Sequence, residues 1–305
     1  MSLLLSLVAQ ILHIALMVAA APLAAGVSDW LEARIGGRSG TPVLLPWRDL
    51  VRLSRKTPAE TDGGSIVLRV APSAALGITL AAAALAPSFS RSMALSPLAD
   101  ILVIVSLLAS ARAVMVLAAL DAGAPEPGLA AQQSSALAVP AEAALIVMAL
   151  AIALMAGSFN LDLIMSQARD GGLAPAAAAA VVLAALLALA FVDDGFSLAG
   201  LDRTAADNGL AMSRLTAWLR RLVWLDLTGA LFLPFGYATA GAGPLEWSIG
   251  LACWGGKLAV LILFMAGTRA LPGRIAAQRA AEVAGVAALL AVIATVMVLA
   301  SARMA

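Results

Sequence analysis

The stretch that decides the fold is LADILVIVSLLASARAVMVLAAL, residues 98–120. Its only charged side chains are Asp100, near the beginning, and Arg112. A helix crosses the hydrocarbon core of a bilayer with about 20 consecutive apolar residues. The stretch therefore predicts a transmembrane helix.

Seven further runs of similar length and composition occur along the chain. The eight predicted spans cover residues 3–25, 66–87, 98–120, 137–157, 173–192, 215–235, 246–267 and 280–302. The first run lies where a signal peptide would lie, but no basic residue precedes it and it is longer than a typical signal core. We therefore predict an all-α polytopic membrane protein, a single integral domain of residues 1–305 with a retained first helix.

The composition excludes a soluble enzyme. Hydrophobic residues make up 62% of the chain, charged residues 12%, and the mean hydropathy is +0.99. Soluble domains carry about 25% charged residues.

The net charge of +1 comes without a concentrated basic domain, so nucleic acid is not an expected partner. One cysteine, Cys253, and one histidine, His13, exclude a disulfide framework and a Cys/His metal or Fe–S site. No catalytic redox centre, metal or cofactor is expected in this chain.

The basic residues predict the orientation of the spans. Most of them fall in three alternate connections, at residues 26–65, 193–214 with its flank to 221, and 268–281. Cytoplasmic loops carry an excess of Lys and Arg. We therefore place loops 26–65, 121–136, 193–214 and 268–281 in the cytoplasm. Both termini are then periplasmic, and the protein is expected in the bacterial inner membrane.

The first of these loops contains a short amphipathic helix. Pro46 suits the first turn of a helix. The following residues form an apolar face of Trp47, Leu50 and Val51 and a basic face of Arg48, Arg52 and Arg55. Two interpretations stay open for this pattern: a helix that lies on the membrane surface, or a platform on which a soluble partner docks.

Several motifs carry a resemblance to a known family. They are RIGGRSG at 34–40, LPWRDLVRL at 45–53, Arg55-Lys56 and RVAP at 69–72, followed by Ala111-Arg112, LDAGAP at 120–125, Gly128, Glu142, AGS at 156–158 and Asn160. This set resembles subunit 1 of respiratory complex I together with subunit 4 of formate hydrogenlyase and its relatives in group 4 [NiFe]-hydrogenases. The resemblance covers essentially the whole chain, and its first block is the most specific.

The resemblance implies a non-redox membrane subunit of a complex I-like oxidoreductase. Such a subunit docks a soluble redox arm and helps couple it to proton or sodium translocation. The implied partners are hydrogenase-like large and small soluble subunits, antiporter-like membrane subunits and the lipid bilayer. Fe–S clusters, and Ni-Fe in a hydrogenase, belong to the partners, and the use of a quinone stays open.

The resemblance also gives candidate site residues. The docking residues would be Arg34, Arg38, Arg48, Asp49 and Arg52. A proton path would run by Glu142, with Asp121 and Arg112 near its entrance. A carboxylate in the low-dielectric interior of a membrane protein favours its protonated form, which suits a proton carrier.

The chain also departs from the family pattern. It reads Gln132-Gln133-Ser134 where the hydrogenlyase branch has Ser-Arg-Glu, and Thr268 where the family has a glutamate. An alternative is therefore a membrane anchor of a complex I-like assembly with no ion path. A second alternative is a stand-alone secondary transporter, although the chain shows no clear inverted repeat.

Further ionisable residues inside the predicted spans include Asp226, Lys257 and His13. Asp226 is surrounded by leucines in the sequence, and Arg221 is its expected partner. Lys257 is expected to extend its side chain toward the cytoplasm. His13 lies on an apolar helix and is expected to be a packed histidine.

Overall fold

A computed structural model describes residues 2–56, 65–169 and 207–270, with ten scattered positions between 285 and 300. The described helices are α1 (Ser2–Ile35), α2 (Leu45–Ser54), α3 (Ile66–Leu85), α4 (Ile101–Asp121), α5 (Pro125–Ala156), α6 (Leu161–Arg169), α7 (Asp207–Phe232) and α8 (Pro244–Ala270). Two short strands, β1 (Ser90–Arg91) and β2 (Ala238–Thr239), and a 3₁₀ turn (Ser96–Leu98) lie in the connections.

Four of the described helices are long and apolar enough to cross a membrane: residues 4–35, α3, α4 and residues 244–267. They match the predicted spans at 3–25, 66–87, 98–120 and 246–267. The predicted spans at 137–157 and 215–235 overlap helices α5 and α7, which end at Ala156 and Phe232. The predicted span at 173–192 and most of the one at 280–302 lie outside the described residues, so the count of eight spans remains a prediction.

Two helices extend well beyond their predicted bounds. Helix α1 continues from the predicted end at residue 25 to Ile35, passing Pro22 on the way. Helix α5 begins at Pro125 rather than at residue 137, so most of the predicted loop 121–136 is helical. Pro125 at the first helical position and Glu126 in the first turn are favourable helix-start residues, and a count of apolar residues does not detect them.

Helix α7 lies at the centre of the fold. It packs against α1, α2, α3, α6 and α8. Residues 222–231 are all buried, and the leucines among them contribute to the main apolar core. Helices α3 and α4 pack closely, and Ala75 of α3 shares a buried cluster with Ala111 and Ala119 of α4. Small residues allow helices in a membrane to approach closely.

The connections predicted to be periplasmic meet at one end of the helices. Strands β1 and β2 pair in parallel, which joins the α3–α4 connection to the α7–α8 connection. The N–H of Ile101 donates to the carbonyl of Phe159 at 3.1 Å, and that of Leu161 to the carbonyl of Ala99 at 2.8 Å. We call this layer, residues 86–100, 157–162 and 233–247, the loop cap. Helix α2 contacts the first half of α7, away from the loop cap, through the pair of Asp49 and Arg214. The assignment of the loops to the two sides of the membrane remains a prediction.

His13 is a packed histidine, as expected. Its ring is fully buried on α1, with Nδ1 2.6 Å from the Ser88 hydroxyl and Nε2 2.8 Å from the Ala83 carbonyl. A carbonyl only accepts, so Nε2 must carry a hydrogen. The neutral ring then accepts the Ser88 hydrogen at Nδ1, and both nitrogens are satisfied. His13 therefore ties α1 to the end of α3.

Candidate docking surface and buried polar groups

Helix α2 forms at the predicted place. Pro46 and Leu53 are the buried residues, and Val51, predicted on the apolar face with Trp47, is 42% exposed. Trp47 and Val51 lie beside the basic side chains. They line an open depression of about 520 Å³ together with Arg48, Arg52 and Arg55. The outer surface of α2 is therefore both basic and apolar.

Two glycines bring α2 close to α1. A Cβ on Gly26 would overlap the backbone carbonyl of Val43 and lie 3.2 Å from Pro46. A Cβ on Gly40 would lie 2.8 Å from the Trp30 ring. Any larger residue at either position needs the chain to move. The glycines therefore seat the segment that leads into α2 directly on α1.

Asp49 connects α2 to α7. Its carboxylate lies 3.1 Å from Arg52 on the same helix and 3.4 Å from Arg214 on α7. The Arg52 side chain is 68% exposed, and an exposed pair of this kind contributes about 0–1 kcal/mol. Asp49, which the sequence suggests as a docking residue, therefore also positions α2.

The other docking candidates lie on the same unit. Arg34 is in the last turn of α1, with its guanidinium 5.5 Å from the centre of the Trp30 ring. Arg38 follows in the exposed turn after α1, where Gly37 has a φ of +70°. All five predicted docking residues thus lie on α1, α2 or the connection between them.

The three residues of the predicted proton path are not brought together in the described part of the structure. Arg112 is 5% exposed and lies in the middle of α4. Asp121 ends the same helix, is exposed, and accepts a hydrogen bond from the Ser65 hydroxyl. Asp121 comes nine residues after Arg112, which corresponds to about 13 Å along the helix axis. Glu142 lies within α5, and its side chain is outside the described part.

The expected partner of Asp226 is wrong. Residues five apart on a helix point about 140° away from each other, and Arg221 instead lies near Asp29 and Glu32 of α1. Asp226 accepts a hydrogen bond of 2.7 Å from the Trp254 indole N–H of α8. Sequence reasoning missed this contact because it depends on how α7 and α8 pack.

The expected position of Lys257 is also wrong. The side chain does not extend to the membrane surface but is buried, with 6% exposure. Its ammonium lies 3.7 Å from the centre of the Tyr237 ring and 4.9 Å from that of Phe235. Trp254 and Lys257 are three residues apart and therefore share a face of α8. That spacing is the one sequence signal that connects them to a common site.

The family can be decided from the match to a sequence profile. The profile described as NADH dehydrogenase matches residues 4–195, well over half of the chain. The chain belongs to the NADH dehydrogenase family. The matched segment contains all five docking candidates, Glu142, Asp121 and Arg112. The resemblance to complex I subunit 1 is therefore confirmed.

Two curated relatives in Escherichia coli (strain K12) are similar along most of their length. Hydrogenase-4 component C is 28% identical over 256 residues, which cover 79% of this chain and 78% of the relative. Formate hydrogenlyase subunit 4 is 27% identical over 260 residues, covering 81% and 84%. Both agree with the hydrogenlyase-type resemblance of the motifs.

A solved structure has the same fold. It is described as the membrane-bound sulfane sulfur reductase, an archaeal respiratory membrane complex. The TM-score is 0.79 at 20% identity, and the match covers 95% of this chain and 98% of the other. With the four apolar helices, these likenesses identify this NADH dehydrogenase family member as a membrane protein.

Proposed function

We propose that this chain is the non-redox membrane subunit of a complex I-like oxidoreductase of the formate hydrogenlyase or membrane-bound hydrogenase type. In this proposal it docks the soluble redox arm on α2 and the end of α1, and helps couple that arm to proton or sodium translocation. The observation that carries the proposal is the family match over residues 4–195, which includes the exposed basic helix α2. The partners are hydrogenase-like large and small subunits and antiporter-like membrane subunits.

The shape and chemistry of α2 support a docking role. Arg48, Arg52 and Arg55 surround the partly exposed Trp47 and the exposed Val51 in one depression. Partner surfaces are enriched in arginine and aromatic residues at their centres. Two further contacts fix the position of the helix: Leu53 is buried, and Asp49 forms an ion pair with Arg214 of α7. A rigid surface of this kind loses little entropy when a partner binds.

The composition of the purified assembly tests the proposal. Solubilised from its native membrane with a mild detergent, the chain is expected to co-purify with a hydrogenase-like large subunit, a small Fe–S subunit and antiporter-like membrane subunits. Mass spectrometry identifies the proteins, and metal analysis detects the iron. Recovery of the chain alone, as a monomer or homodimer without Fe–S partners, would refute the assignment.

Glu142 tests the ion path within the same proposal. The change Glu142→Gln keeps the size of the side chain but removes the carboxyl group that can take up and release a proton. We expect the assembled complex to keep its redox turnover within about twofold and to lose at least tenfold of its ion movement per turnover. Ion movement is followed in inverted membrane vesicles with a pH-sensitive dye.

A matched change is Gln132→Glu, on the same helix α5 at an exposed position. It alters charge without touching the proposed carrier, and coupling is expected to be unchanged. If Glu142→Gln leaves ion movement intact, Glu142 is not the carrier. If the wild-type complex itself moves no ions, the chain is an anchor without an ion path.

A further inference from the structure

A carboxylate is buried at the centre of the fold, outside the proposed docking surface and outside residues 4–195. Asp226 of α7 is 2% exposed and lies within the fully buried segment 222–231. Its Oδ1 accepts the hydrogen bond from Trp254 at 2.7 Å. Its Oδ2 is buried and has no hydrogen-bond partner in the part of the chain that the structure describes. A buried polar atom left in this state is unfavourable unless something binds there.

An ammonium group lies beside this carboxylate. Lys257 lies on the same face of α8 as Trp254, and its side chain comes 4.0 Å from the position that a Cβ on Gly229 of α7 would take, three residues after Asp226, yet the structure does not join the two in a direct ion pair. Its Nζ instead lies over the faces of Tyr237 and Phe235. Aromatic faces attract a cation but accept no strong hydrogen bond. The site thus holds a buried acceptor and a buried donor that do not satisfy each other.

The loop between α7 and α8 holds the aromatic rings in position. Gly236 turns this loop with a φ of +73°, and a Cβ there would lie 2.6 Å from the Cys253 Cβ. The loop is therefore packed tightly against α8, one turn from Lys257. It continues into β2, which pairs with β1 in the loop cap. The position of the Lys257 ammonium consequently depends on the loop cap.

We infer that Asp226 and Lys257 form a proton-exchange site, with Asp226 Oδ2 as the atom that binds the proton. In the charged form, Lys257 holds the proton and Asp226 is a carboxylate. When an N–H bond of Lys257 breaks and an O–H bond forms at Oδ2, both groups become neutral. The total charge is the same in both forms, so the exchange does not create net charge in a low-dielectric interior.

In the part of the chain that the structure describes, the ionisable groups on the helices packed against α7 divide between this site and other partners. From α8 and the loop, Cys253 and Tyr237 accompany Lys257 at the site. On α1, Asp29 and Glu32 lie near Arg221, and His13 is bonded to Ser88 and Ala83. On α2, Asp49 pairs with Arg214. Among the described residues, Lys257 is therefore the charged group that acts on Asp226.

The surroundings favour a proton over a sodium ion. Hard metal cations are bound by several oxygen ligands. Among the described residues, the site presents one unused carboxylate oxygen, an ammonium group and two aromatic rings. The ammonium repels a second cation, whereas a proton needs only the single oxygen.

Infrared spectroscopy of the purified full-length chain tests this inference. No partner subunit is needed, so the result is independent of the proposed complex. The carbonyl band of a protonated carboxylic acid is recorded as the pH is raised. We expect a band that disappears with rising pH in the wild type and is absent from Asp226→Asn. In Lys257→Met the band should persist to a pH at least one unit higher, a tenfold change in proton affinity, because the charge that favours the carboxylate is gone.

Controls separate this result from misfolding. Asn at position 226 can still accept the Trp254 hydrogen bond, so the variant should keep its circular dichroism spectrum. Trp254→Phe removes that bond but keeps the carboxyl, so the band should remain at a shifted frequency. Identical titrating bands in the wild type and Asp226→Asn would overturn the inference, as would an unchanged titration in Lys257→Met. A titration that moves when potassium is exchanged for sodium would identify a sodium site instead.

Discussion

Replacing Arg48 and Arg55 together with glutamate is expected to release the soluble arm from the membrane chain without unfolding it. Both side chains are exposed and line the depression on α2. Neither takes part in the ion pairs of Asp49. Charge pairs across an interface contribute about 1.5 kcal/mol or more each. Two reversals should therefore weaken docking by at least about a hundredfold. The measurement is the ratio of large soluble subunit to membrane chain after affinity purification.

The matched control is Arg169→Glu. Arg169 is also exposed, but it lies at the end of α6, a helix that starts from the loop cap rather than beside α2. The same change of charge there should leave the ratio of subunits unchanged. If the double variant retains the soluble arm as well as the control does, the arm binds elsewhere and α2 is a helix of the membrane surface.

The sequence predicts helices well where one apolar run decides the matter. Residues 66–87 and 98–120 correspond closely to α3 and α4, because a bilayer requires about 20 apolar residues whatever lies beside them. The short helix α2 is also predicted, since Pro46 and the spacing of its arginines are local signals. Helix ends depend on other local signals. The start of α5 at Pro125 is not marked by apolar residues, so an apolar run alone does not predict it.

The sequence does less well where two helices meet. The sequence places Trp47, Leu50 and Val51 on one face of α2, but it does not show that α2 packs against α1 and α7 with Pro46 and Leu53 as its buried residues. A helical wheel shows which residues share a side of a helix, but not which side its neighbours cover. The sequence likewise does not show which neighbours cover Lys257, so it predicts a side chain that extends to the surface. Its actual aromatic partners come from a loop 20 residues earlier in the chain.

The change Gly26→Ala is expected to displace α2 and to destabilise the protein. The new Cβ would overlap the carbonyl oxygen of Val43, a backbone atom that cannot turn away as a side chain can. Either α1 or the segment before α2 must therefore move. Overpacking of this kind costs about 1–3 kcal/mol. The displacement would also strain the pair between Asp49 and Arg214. We expect a lower thermal unfolding midpoint in detergent and a reduced amount of bound soluble arm.

Gly77→Ala gives the matched control, because Gly77 also lies inside a helix, α3, but a Cβ there meets nothing within 4 Å. Alanine is favoured over glycine in a helix by about 1 kcal/mol, so Gly77→Ala should leave stability equal or raise it. The same substitution is thus expected to act in opposite directions at the two positions.

If both variants unfold at or above the wild-type temperature and both keep the soluble arm, then the close contact at Gly26 does not fix the position of α2 on α1. That outcome would contradict the proposal that α2 is a rigid docking surface. If only Gly26→Ala loses the arm, the position of α2 and not merely its charge determines docking, since this substitution leaves every arginine in place.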